Sequence, residues 1–274
     1  MKKGFVVFGS VRSTEVADEL AKEFGPDFFP LVFDVLDVGS ISESRDRVRD
    51  HLDDRNLVAL VNNAGLAQFG PLELVDDGEF AHVVSVNLFG TRNVTNAFIP
   101  LLRRPAASAP DRSVVRAEKA GKIINISSLS GILNTPMNGT YCISKHALES
   151  LGETYRRELL ADGIDVVSIR SGPIQSEIWT KNLKQKLDYE HQPYRQMSQT
   201  AQCVMSNAQA TALPADVVAE LVWDIIEGRC RRTAYGLGQG ALISRLLSSD
   251  LMPKRLADWL IDRKLRPARR QSIE

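Results

Sequence analysis

Short apolar and β-branched runs alternate along this chain with stretches whose apolar positions recur every three or four residues. Runs of the first kind are Phe5 to Val11, Pro30 to Phe33, Leu57 to Val61, Gly121 to Ser127, Ile164 to Arg170 and Thr233 to Gly236. Each has the length and composition of a strand. Stretches of the second kind are Thr14 to Phe24, Ile41 to Leu52, Asp76 to Arg103 and Thr140 to Leu160. Pro214 to Gly228 reads as a further helix, with proline near its first turn and glycine after its end. Strand followed by helix, repeated, predicts an α/β fold: one domain built on a doubly wound parallel sheet.

One strand–helix junction carries the chemistry. Ser128 ends the run that starts at Gly121, and Tyr141 and Lys145 stand four apart at the start of the next helix. At that spacing two side chains share one helix face, one turn apart. A phenol titrates near pH 10, too high for acid or base work at neutrality. A cation beside it favours the phenolate and lowers that value. A serine hydroxyl at the strand end can hold the oxygen of an alcohol or carbonyl against the phenol. Proton transfer coupled to gain or loss of hydride at carbon is the chemistry this suits.

Tyr-x-x-x-Lys alone is a common accident on helices, and its weight comes from its company. Ser128 lies thirteen residues before Tyr141, Asn62-Asn63-Ala64-Gly65 follows the Leu57 to Val61 strand, and Asn87 sits in V-N-L-F-G. In that combination, order and spacing the chain resembles the short-chain dehydrogenase/reductase family over nearly its whole length. Y-C-I-S-K followed by E-S-L-G-E-T-Y-R-R-E-L is most similar to the branch acting on retinoids and hydroxysteroids.

The resemblance implies a Rossmann-like fold. It also implies an NAD(P)-dependent oxidoreductase that interconverts an alcohol and a ketone or aldehyde on a lipophilic small molecule. Tyr141 is then the general acid/base, Lys145 lowers its pKa and holds the nicotinamide ribose, Ser128 positions the substrate oxygen, and Asn87 holds a water linking the lysine to solvent. Asp34 and Val35 match the pair that touches the adenine. Asn62, Ala64 and Gly65 line the adenosine side and brace the sheet. Gly172, Ile174 and Ser176, in S-G-P-I-Q-S, grip the nicotinamide end, and Ser171, standing where the family has proline, is expected to loosen that turn. Residues 1–176 form the cofactor-binding and catalytic core, 177–213 the substrate lid and 214–274 the C-terminal helices. Family members assemble through their two long helices, so a homo-oligomer is implied.

The N-terminus departs from the pattern. Gly9 does not begin a G-x-x-x-G-x-G turn, because Ser13 and Glu15 stand at the next two glycine positions and a glutamate repels pyrophosphate. Phe33-Asp34-Val35 also comes too early for the family's third strand. Phe5 to Val11 therefore aligns with the second strand, and Met1 to Gly4 with the tail of the first crossover helix. On this reading the first βα unit and its glycine-rich turn are missing, Met1 is an internal methionine of a longer protein, and a slot opens in the sheet. A genuinely shortened chain is the alternative. At the end of the second strand an acidic residue selects NAD, whereas arginine accommodates the 2′-phosphate of NADP. Ser10-Val11-Arg12 stands there, so NADP(H) is favoured over NAD(H), with Arg12 as its contact.

Composition narrows the picture further. The 274 residues are 43% apolar and carry 34 basic and 34 acidic side chains, a balance that does not call for nucleic acid. Cys142, Cys203 and Cys230 lack metal-ligand spacing, as do the four histidines, so reduced thiols, no metal and a cytoplasmic location are expected. No eighteen-residue apolar run is present. Arg104 to Ala120, rich in proline, alanine, serine and charge, reads as a long surface loop. From Ala241 to Leu265 apolar and basic residues alternate. Such a helix caps the protein's own pocket or makes weak peripheral membrane contact. Two rivals stand beside the enzyme: a catalytically silent protein of the same fold, and a cofactor-free lyase resembling the halohydrin dehalogenases, which carry arginine at the Lys145 position.

Overall fold

Side-chain caps set where the helices start. Ser13 closes the N-terminus of α1 (Thr14–Phe24), its hydroxyl accepting from the Val16 amide. Asp37 caps α2 (Val38–Leu52) by accepting from Gly39 and Ser40, so this helix begins three residues before its apolar spacing shows. Asp76 likewise caps α3 (Asp77–Val84). Each cap contributes about 0.5–2 kcal/mol. The structure, a computed structural model, describes residues 4–53, 55, 57–103, 121–176, 192–238, 240–249 and 252–265. The expected loop 104–120, the first part of the lid at 177–191, and residues 1–3 of the expected helix tail lie outside the described residues.

The single helix expected from Asp76 to Arg103 is three pieces: α3, a π-helical turn over Ser85–Gly90, and α4 (Thr91–Leu102). The wider turn buries Asn87 completely and leaves Phe89 facing out. Gly90 is needed there because a Cβ on it would stand 2.5 Å from a methyl of Val35.

The strands are β1 (Val7–Val11), β2 (Phe28–Val32), β3 (Ala59–Asn62), β4 (Lys122–Ser128), β5 (Asp165–Ser171) and β6 (Ala234–Leu237). All pairings are parallel. Strand β2 starts two residues earlier than expected, where the Phe28 and Phe29 rings pack on Phe24 and Phe8. Further helices are α5 (Gly139–Glu158), α6 (Gln192–Ala210), α7 (Ala215–Ile226), α8 (Ala241–Ser248) and α9 (Lys254–Leu265). Helix α6 falls in the part of the lid where the sequence shows no strong pattern.

Strands β4 and β5 are buried on both faces. Ile123 and Val166 pack toward Ile99 and Leu102 of α4, while Ile124, Val167 and Ile169 pack toward Ile225 of α7. Burying each such side chain stabilises the fold by about 1.5–3 kcal/mol. A third cluster joins Leu31 and Phe33 to Ile41, Val48, Val94 and Phe98, so α2 and α4 cover one face of β2.

Hydrogen bonding divides the strands into two sheets, β1-β2 and β3-β4-β5-β6. The expected slot is therefore present: β1 and β3 both line one cavity of about 1960 Å³, which the core residues Leu31, Phe33, Val48 and Phe98 also border. Val7 donates to the Asp27 carbonyl and Val11 accepts from Phe33, so by alternation the backbone groups of Phe8 and Ser10 point away from β2. Lys122 donates to Val58, so Ala59 and Val61 likewise point away from β4. Among the described residues, neither edge has a strand beside it. The Phe5 ring, set edge-on to Trp223 of α7 at 5.1 Å, ties the β1 side to the larger sheet. Amide hydrogen exchange of the 274-residue chain should find Phe8, Ser10, Ala59 and Val61 at least about 100-fold less protected than Ile124 and Val167. Equal protection would mean that the two sheets close on each other in solution.

Candidate active site

The site is assembled where β4 and β5 end. Ser128, the last residue of β4, is buried, and its hydroxyl accepts from the Ser130 amide at 3.1 Å in the short turn Leu129–Gly131. The chain then enters α5 through Met137 and Asn138. Met137 is a buried non-glycine residue at φ 65°, held there by its carbonyl accepting from Gly70 at 2.8 Å. A left-handed backbone at such a residue stores about 1–3 kcal/mol of strain, a feature that clusters at functional sites.

Tyr141 and Lys145 follow on one face of α5, and both line the cavity with Ser128. Lys145 is buried and donates to the Ile126 carbonyl at 2.9 Å. Its ammonium lies 5.7 Å from the centre of the Tyr141 ring. Burial lowers the Lys145 pKa to about 8, opposed by the negative charge of Glu149 one turn further on. Burial pushes the Tyr141 phenol up to about 12, against the smaller lowering effect of its hydrogen bond with Ser128. The expectation that Lys145 holds the phenol below its ordinary value is thus not met. Burial is the largest influence on both groups.

Asn87 spends its amide on the scaffold. It donates to the Leu66 carbonyl at 2.8 Å and to the Ser144 hydroxyl at 2.9 Å, and accepts from the Leu66 amide at 2.7 Å. One side chain therefore fixes the loop after β3 to α5 beside the lysine. Gly65 sits closely in that loop: a Cβ would stand 3.3 Å from the Asn87 oxygen, a tight contact, and 3.6 Å from the Lys145 nitrogen, an ordinary one.

The other sequence-derived positions divide. Gly65, Gly172, Ile174 and Ser176 line the same cavity as Tyr141 and Lys145. Asn62 is buried and donates to Thr95 and Asn125, both at 2.9 Å, so it braces β3 against α4 and β4, while Asn63 and Gly65, but not Ala64, border the cavity. Asp34 is exposed and accepts from the Leu36 amide at 2.8 Å, which makes it a turn residue, and Val35 packs on Gly90. Arg12 is exposed just past the end of β1. The loosening expected of Ser171 is not seen: it is the last residue of β5, and its hydroxyl donates to the Ser127 carbonyl at 3.3 Å.

Two features escape the sequence. Asn138 borders the cavity with its Nδ2 donating to Ser130 at 3.3 Å and its Oδ1 without a partner. No spacing rule singles it out. Glu149 is held by Arg170 of β5 through two hydrogen bonds of 3.1 and 2.9 Å. Its place four residues after Lys145 was a usable signal.

A nicotinamide and its ribose fit these residues. Lys145 and Tyr141 offer donors on the cavity wall, which Gly65 and Gly172 also line. For the pyrophosphate, the described residues present no glycine-rich cradle. The helix after β1 carries Glu15 in its first turn.

With the geometry in place, comparison with known proteins is direct. The short chain dehydrogenase family matches residues 1–187, and the chain belongs to it. Over 272 residues it is 30% identical to the NADPH-dependent 3-dehydrocapnine reductase of Ornithobacterium rhinotracheale, covering 99% of this chain and 93% of that one. It is 32% identical over 198 residues to estradiol 17-beta-dehydrogenase 2 of Mus musculus, covering 69% of this chain but 48% of the relative, about half of that protein's length. A short-chain dehydrogenase from Streptomyces avermitilis shares the fold, with a TM-score of 0.70 at 23% identity over 96% of this chain and 91% of that one.

The buried ammonium has a stability signature. Between its folded pKa of about 8 and its ordinary 10.5 the unfolded chain binds the extra proton, so stability rises with pH across that window. The stability of Lys145→Met relative to the parent should therefore be greatest near neutrality and fall by up to about 3 kcal/mol as pH climbs through the window. Urea unfolding of both chains at about pH 7 and about pH 10 measures this, and a constant difference would show that the ammonium is not desolvated.

Proposed function

We propose that the chain is an NADP(H)-dependent oxidoreductase that interconverts an alcohol and a ketone or aldehyde on an apolar small molecule. The observation that carries this reading is the placement of Tyr141 and Lys145 one turn apart in the same cavity that Ser128 lines. When bound, the nicotinamide supplies or accepts hydride at the substrate carbon. A phenol held high by burial is protonated at neutral pH, the state in which it can donate to a carbonyl oxygen during reduction. Ser128 holds that oxygen by a second hydrogen bond. Lys145 secures the cofactor ribose, and Asn87 keeps the loop and helix in register so that the proton path to Lys145 stays open.

Leu66, Phe69 and Leu129 line the cavity beside these groups, which supports an apolar substrate. Arg12 at the end of β1, with no carboxylate beside it, supports NADP(H), in line with a relative described as NADPH-dependent. The exposed Phe89 and Ile143, one on the π-helical turn and one on α5, support a homo-oligomer.

A second reading, a protein of this fold without turnover, is favoured by one observation: the described residues offer no cradle for the pyrophosphate. Two measurements separate the readings. Saturable enhancement of NADPH fluorescence by the chain supports the enzyme, and its absence supports the silent protein. Tyr141→Phe should retain that binding within about threefold while reduction of retinoid, steroid or simple ketones falls at least about 100-fold. Turnover that survives the substitution would remove the phenol from its role.

A further inference from the structure

Helices α8 and α9 expose their apolar faces. On α8, Leu242, Ile243 and Leu246 are 81%, 62% and 56% exposed, and at this spacing they form one stripe. On α9, Leu256, Trp259 and Leu260 repeat the pattern at i, i+3 and i+4 and are also exposed, while Ala257 is buried against the body of the protein. An apolar helix face turned to water loses the burial that ordinarily holds a surface helix in place. These six residues are a concentrated share of the large apolar side chains that the described residues expose.

The charge around them is as uneven. The whole chain is neutral, yet the described charged side chains of these two helices are Arg245, Lys254, Arg255 and Arg263 against Asp258 and Asp262. Arg245 lies within the α8 stripe and is exposed, as are Lys254 and Arg255. Arg263 lies over the Trp259 ring at 5.3 Å, so its cation rides at the edge of the apolar face. An indole beside a cation, with leucines one turn away, is the composition that seats a helix in the interfacial layer of a bilayer. Clustered Lys and Arg on an amphipathic helix favour lipids of negative headgroup. Among the described residues no helix is long and apolar enough to cross a membrane, so the geometry of contact is along the surface.

We infer that α8 and α9 form a docking surface for an anionic lipid membrane. The leucines and Trp259 enter the interfacial layer, and Arg245, Lys254, Arg255 and Arg263 meet the headgroups. This partner is independent of the catalytic reading, because no residue of the surface belongs to the site of Tyr141 and Lys145.

Sedimentation of the 274-residue chain with phosphatidylcholine vesicles, with and without phosphatidylglycerol, tests it. Binding should be at least about tenfold stronger to the anionic vesicles and should weaken with added salt. Leu242→Ser combined with Leu246→Ser and Leu256→Ser, all at exposed positions, should reduce it at least about tenfold, with circular dichroism reporting the fold. Brominated lipid should quench tryptophan emission of the parent, and Trp259→Phe should lose most of that quenching. Absence of binding to anionic vesicles overturns the proposal, as does equal binding by the triple variant. A dimer of the parent that the same three substitutions dissociate, without vesicle binding, would show that a second copy covers the face and would also overturn it.

Discussion

Strands β4 and β5 run in register for seven residues, from Lys122 beside Asp165 to Ser128 beside Ser171, and the site exists because both ladders stop at the same level. Past that level the backbone turns away on each side, into the short turn after Ser128 and into Gly172, and a cleft remains between them. This is the general consequence of a parallel sheet in which helices return every strand to the same edge. The register is enforced from within, since Ile123, Ile124, Val166, Val167 and Ile169 fill the core on both faces and a slip of one residue would invert all of them.

Burial outweighs the neighbouring charges in setting the protonation of the groups in the cleft. Lys145 and Tyr141 are each displaced toward their neutral forms by burial. The groups opposing that drift are few: the Ile126 carbonyl on the ammonium, the Glu149 charge behind it, and Ser128 on the phenol. Arg170 in turn fixes Glu149, so the electrostatics of α5 are tied to β5. Burial thus holds the phenol protonated and makes the ammonium the readier of the two to lose its proton.

Much of this was legible in the sequence, for reasons that can be named. Tyr141, Lys145 and Ser128 were found because helical spacing and a strand end are both local features. The slot was anticipated because Ser13 and Glu15 cannot serve as phosphate-cradling glycines, and the two sheets part between β1 and β3. Other features depend on distant neighbours and left no local trace. Asn62 and Asn63 look alike in the sequence, yet the first is used by Thr95 and Asn125 and the second faces the cavity. Asp34 carries the family's signal and in addition accepts from the Leu36 amide, a contact that shows only in the fold. Helix α6 was missed in a stretch rich in glutamine, serine and alanine, although Tyr194, Met197, Ala201 and Met205 recur there at helical spacing. The sign of the Tyr141 shift was missed because spacing reports the nearness of a cation and says nothing of desolvation.

The π-helical turn at Ser85–Gly90 has a bearing on how this chain can change. Its i to i+5 bonding takes up one residue more than an α-helical turn, so everything after it is rotated by about 100° relative to an uninterrupted helix. Asn87 reaches Leu66 and Ser144 from inside that turn, and Phe98, Ile99 and Leu102 reach the core after it. Deleting a single residue here would not merely shorten a helix. It would close the wide turn to an α-helical one: Phe98, Ile99 and Leu102 would keep their side of the helix, while Asn87 would be moved and the amide that joins the loop to the lysine's helix withdrawn. The extra residue of this turn thus serves the joint at Asn87 and not the packing of the helix that follows.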